Sequence, residues 1–183
     1  DYASDFVNSV ITSPVNDSDP RGYLFRKLGT RCLSETLAAG VCESVNTILT
    51  TALQAYGEAT EHTVELLCTV FSVLFLFASV GSTFAKLNPE YAQEVLAALA
   101  TLCSDEEVLI RSGALYAIAC MGVELPGEVL VAIIQILLGD ESALARYFAA
   151  MAFSRAVKLI PNNEEGEALK CQIDPALSDI LSG

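Results

Sequence analysis

The chain contains one histidine, His62, so a Ser–His or Cys–His nucleophilic pair would have to use it. His62 stands in Glu58-Ala59-Thr60-Glu61-His62-Thr63, at the expected first turn of a helix. No glycine-rich elbow surrounds any candidate nucleophile, and a solvated or capping role suits His62 better than that of a base. One histidine also excludes a histidine-rich metal site. The six cysteines (Cys32, Cys42, Cys68, Cys103, Cys120 and Cys171) form no Cys-x-x-Cys pair and no zinc spacing. Adjacent acids, Asp105-Glu106-Glu107 and Glu164-Glu165-Gly166-Glu167, read as dipole complements at helix starts or as solvated faces. Their spacing fails the EF-hand pattern. Neither a Gly-x-Gly-x-x-Gly nor a Walker loop is present. The expectation is a chain with no catalytic residues, no cofactor and no metal.

The 183 residues suit one domain, and 52 % of them are apolar, enough to bury a sizeable core. Ten basic residues against 23 acidic ones leave a net charge of −13, which argues against nucleic acid and anionic lipid as partners. The chain begins at Asp1, as a processed product or a piece of something longer would. No signal-like start and no disulfide spacing are seen, so the cysteines are expected as free thiols in an intracellular, cytoplasmic setting.

Apolar residues recur at intervals of three and four, which predicts an all-α fold of about eight or nine helices. The expected helices are 3–12, 20–38, 41–56, 60–84, 89–103, 106–121, 127–138, 141–159 and a short one at 175–181, with a polar loop at 161–166. Asn88-Pro89-Glu90, Leu125-Pro126-Gly127-Glu128, Asp19-Pro20 and Asp174-Pro175 read as helix starts, and Gly40, Gly57, Gly122 and Gly139 as stops.

Part of the chain repeats itself. The block EVLAALATLCSDE from Glu94 is matched by EVLVAIIQILLGDE from Glu128. Leu109, Arg111, Ala114 and Ala117 recur 35 positions later as Leu144, Arg146, Ala149 and Ala152, and Asp105 recurs as Asp140. Two helices per unit at this period mark a helical solenoid. Each aspartate is placed to cap the next helix, each arginine to reach a carboxylate or carbonyl of a neighbouring unit, and the alanines to let helices approach. In these residues the chain resembles the HEAT-like (armadillo-like) helical repeat family, most clearly over 89–157. The resemblance implies a solenoid of antiparallel helix pairs. Residues 1–88 are then divergent or capping helices of the same single domain. Cys68, 35 positions before Cys103, and Asn16-Asp17-Ser18-Asp19-Pro20 with Arg26 and Leu28 are fainter traces of the register.

From Leu66 to Ala85 there is no charge, a run long enough to span a bilayer. Its flanks lack a Lys/Arg anchor and a Trp belt, so a central helix buried by its neighbours is the expected outcome. Phe71, Phe75 and Phe77 could alternatively line a groove for an apolar partner.

Arg21, Arg26, Lys27 and Arg31 form the one cationic cluster, whereas between Cys32 and Ile110 Lys86 faces ten acids. An acidic body can steer a basic partner segment. In 94–103 the buried stripe is expected at Leu96, Leu99 and Leu102, leaving Glu94, Ala98 and Thr101 outward. Glu128, Ala132 and Gln135 are their matches in the next unit. These six are the expected partner-binding positions, and Asp105, Arg111, Asp140 and Arg146 the expected structural repeat residues. The favoured reading is a non-catalytic interaction or scaffold module whose acidic groove takes a peptide, helix or protein. The alternative is a small acidic chaperone or adaptor that shields an apolar segment of a client.

Overall fold

The computed structural model describes residues 35–182. The expected helix at 3–12, most of that at 20–38, the cluster of Arg21, Arg26, Lys27 and Arg31, and Cys32 lie outside the described residues. Within them the chain is all-helical: α1 (Glu35–Glu58), α2 (Val64–Leu87), α3 (Pro89–Leu102), α4 (Val108–Met121), α5 (Gly127–Gly139), α6 (Ala143–Ala156), a 3-10 turn (Val157–Leu159) and α7 (Glu164–Ser182).

Helix α2 is the hub. It packs against α1, α3 and α4; α4 packs in turn against α3 and α6, α6 against α5, and α5 against α7. Leu74, Leu76, Phe77 and Val80 of α2 are buried, together with Leu99 of α3, Ile110 and Leu115 of α4, and Ile133 and Ile134 of α5. The uncharged run is thus helical, and 61 % of its most apolar stretch is covered by the rest of the chain. By length and composition alone this helix could also cross a membrane. Three of its hydroxyls are satisfied within the helix: Thr69 donates to the Glu65 carbonyl at 2.8 Å, Ser72 to Cys68 and Ser79 to Leu76, both at 2.6 Å. Polar side chains therefore sit in a buried helix without an orphaned hydroxyl at these three places.

The helix ends follow local chemistry. The Thr63 hydroxyl accepts from the Leu66 N–H at 3.3 Å and starts α2. Pro89 stands in the first turn of α3. The Asn88 side chain does not cap α3; its Nδ2 donates backwards to the Phe84 carbonyl at 3.4 Å and closes α2. Gly122 ends α4 at φ 66°, the left-handed conformation that glycine adopts without a Cβ penalty.

Several expectations are corrected. Gly40 is no stop, because α1 runs through it from Glu35; one glycine costs a helix only about 1 kcal/mol. The loop at 161–166 is shorter than expected. The Asn163 side chain accepts from the Gly166 N–H at 2.9 Å, and Glu164, Glu165 and Glu167 complement the dipole of a helix that begins there. That helix continues through Pro175, so Asp174-Pro175 is not a start and no separate helix exists at 175–181. Finally, Phe75 and Phe77 are buried and line no groove among the described residues: Phe75 packs on Phe71, Tyr116 and Phe148, and Phe77 on Phe84.

Candidate functional site

Two features stand out, a polar seam through the turns and a groove between α3 and α5. The seam is built from the repeated aspartate and arginine. Asp105 and Asp140 each sit in the turn before a helix, and each accepts through Oδ1 from the N–H two residues on, Glu107 and Ser142, at 2.8 Å. Arg111 turns Nη1 back to the Asp105 and Glu106 carbonyls, both at 2.8 Å. Its other edge, Nε and Nη2, grips the Asp140 carboxylate at 2.9 and 3.1 Å, a bidentate pair with 15 % and 8 % of the two side chains exposed. Arg146 repeats the first half of this pattern, with Nη1 donating to the Asp140 and Glu141 carbonyls at 2.5 and 3.1 Å.

At the other end Asp105 is held by a different residue. The hydroxyl of Tyr56, from α1, donates to its Oδ1 at 2.8 Å, and His62 stacks on the Tyr56 ring with centroids 4.1 Å apart. Burial of Tyr56 pushes its phenol well above the ordinary range, helped by the Asp105 hydrogen bond and by the charges of Asp105, Glu107 and Glu106. His62 is exposed and serves here as a ring stacked over a tyrosine. Burial works to raise the Asp140 carboxyl. The hydrogen bonds from Arg111 and the Ser142 N–H, with the charges of Arg111 and Arg146, outweigh it and hold it below the usual carboxylate range.

The groove lies between two helices that carry acids and no bases: Glu90 and Glu94 on α3, Glu128 on α5. Gln93, Leu96, Ala97, Ala100 and Thr101 form one wall, and Pro126, Glu128, Val129 and Ala132 the other, around about 500 Å³. Of the six expected partner-binding residues, Thr101, Glu128 and Ala132 therefore meet in one groove. Glu94, Ala98 and Gln135 are exposed on the same helices but do not line it. The expected buried stripe is Leu96 and Leu99, with Leu102 half-buried, and Leu96 also forms part of the groove floor. Gln93, Ala97 and Ala100 were missed on α3. Their spacing of four and three marks a stripe one residue out of phase with the expected one, about 100° around the helix.

Among the described residues no group of three His, Cys, Asp or Glu side chains is placed to hold a metal. Among the described residues no cysteine forms a disulfide; Cys42 and Cys103 are buried and Cys171 is exposed. Comparison with family models, with curated proteins and with solved structures gives no match to this chain.

Proposed function

We propose that this chain is a non-catalytic protein-interaction module, a HEAT-like solenoid whose α3–α5 groove receives a basic helix or extended peptide. The observation that carries the reading is the groove itself. Its floor is small and apolar (Leu96, Ala97, Ala100, Ala132), Glu128 lines its wall, and neither helix bears a lysine or arginine. An apolar stripe flanked by basic residues would find contact area on that floor and charge complementarity at Glu128. The repeated turn supports the solenoid reading: Asp105 with Arg111 and Asp140 with Arg146 close their turns in the same way, and Arg111 ties the first turn to the second.

The test is affinity capture from the native lysate, with the wild-type chain against a Glu128→Lys, Ala132→Trp variant. A salt-sensitive protein partner retained by the wild type and lost by the variant is the expected result. Retention of every partner by the variant would remove the groove as the binding site.

A further inference from the structure

We infer that the outer face of α6, with the free edge of the Arg146 guanidinium at its head, docks a helical unit of a partner protein that carries an aspartate in its helix-start turn. The molecule contains the template for this contact. Arg111 and Arg146 hold the two carbonyls of their own turns in the same way, through Nη1. In Arg111 the remaining edge is filled by the carboxylate of Asp140, which opens the next unit. In Arg146 the same Nε and Nη2 edge has no acceptor among the described residues. A guanidinium fork held by its own turn is preorganised for a planar, two-oxygen acceptor, and the carboxylate is what the chain itself places there.

The helix surface beside the fork agrees. Ser112, Leu115 and Ala119 of α4 are buried, Ser112 fully. The residues 35 positions on, Tyr147, Ala150 and Ser154 of α6, are exposed, Tyr147 to 61 %. Helix α4 packs against both α2 and α6, whereas α6 packs against α4 and α5, which leaves this face open among the described residues. Alanine at 150 and serine at 154 let a helix approach closely, and Tyr147 offers an aromatic surface with a polar tip.

Among the described residues both aspartate turns are already taken, which favours a partner over a second copy as the occupant. Asp105 is held by Tyr56 and Asp140 by Arg111, and the exposed Asp174 lies inside α7, away from any turn. This surface is separate from the α3–α5 groove and of opposite charge, so either can fail without the other.

The intact chain, labelled with 15N-arginine, is titrated with a synthetic peptide of residues 126–160, which brings an Asp140 turn in trans. The Arg146 Nε–H signal is expected to move toward that of Arg111 and to exchange more slowly with water. An Asp140→Asn peptide, or an Arg146→Lys chain that keeps the charge but lacks the fork, is expected to bind about tenfold more weakly or worse. Because an isolated hairpin can stay unfolded, the same segment is also inserted after Ile160 of the intact chain, where it should protect the Arg146 Nε–H and raise Tm. An unprotected Arg146 in both formats overturns the proposal, as does equal binding by the Asp140→Asn peptide. Sedimentation of the unliganded chain supplies the remaining arm: a monomer supports a partner as occupant. A dimer dispersed by Arg146→Lys would seat a second copy on the face and overturn it.

Discussion

Tyr56 stands to Asp105 as Arg111 stands to Asp140: each closes a helix-start turn further along the chain by donating to its aspartate, Tyr56 at 2.8 Å and Arg111 through two bonds. One joint is made by a neutral phenol from a helix with no repeat signature, the other by a charged fork. The seam therefore joins α1 to the turn before α4, and α4 to the turn before α6.

Removal of the phenol hydroxyl isolates the first joint. Tyr56→Phe leaves the Asp105 carboxylate one donor short and is expected to cost about 1.5–3 kcal/mol, the range for hydrogen bonds to charged groups. Urea unfolding at neutral pH measures it. A midpoint unchanged from wild type would show that water replaces the hydroxyl at no cost.

The second joint has a pH signature. Asp140 is held below its ordinary value, so the stability it contributes is fully present above about pH 3.9 and is lost as pH falls through its lower folded value. Arg111→Ala leaves the mostly buried carboxylate unpaired and is expected to cost about 3 kcal/mol at pH 7. The gap between the two proteins should close in acid as Asp140 becomes neutral. Unfolding midpoints from pH 7 down to pH 2 check this; a constant gap would assign the loss to packing.

Two glycines that look alike in the sequence should respond in opposite directions. A Cβ at Gly113 would meet Leu74 Cδ1 at 2.8 Å and Phe71 at 3.2 Å, so Gly113→Ala overpacks the α2–α4 contact and is expected to cost about 1–3 kcal/mol. At Gly81 the nearest atom, the Met121 amide nitrogen, is at 3.4 Å. Gly81→Ala fits there and is expected to stabilise by up to about 1 kcal/mol through helix propensity. Tm values of the two variants, falling for one and steady or rising for the other, are the check.

The thiols should sort by burial. Desolvation pushes the Cys103 thiol up to about 12, which leaves it protonated and inert at pH 8, and it raises Cys42 as well. Native alkylation followed by peptide mapping should label Cys171 first, with Cys42 and Cys103 reacting only after denaturant is added. Fast labelling of Cys103 in the folded chain would contradict the core described above.

The fold class was legible because the apolar spacing is helical almost throughout and because Pro89 and Pro126 punctuate it. The Asp–Arg seam was legible as a repeated pair, since spacing alone put Arg111 within reach of a neighbouring carboxylate. Tyr56 was not: no repeat marks it, and its partner lies 49 residues away. The groove was half legible. Glu128 and Thr101 were picked out from pattern, but the wall of α3 is turned by one residue, and only the packing of α3 on α2 and α4 sets that rotation. Gly40 and Pro175 misled because a breaker is a cost, which long helices can absorb.

Asn88 closes α2 and opens α3 with no residue between them. The two helices therefore share one rotational setting, and the groove wall inherits its direction from the hub. One residue inserted at this joint would swing the face of Gln93, Ala97 and Ala100 by about 100° and point it elsewhere. A ligand that wedges the groove apart would likewise twist the last turn of α2, where the Phe84 carbonyl receives both Asn88 donors. The joint would then act as a crank between an occupant of the groove and what packs in the centre of the molecule.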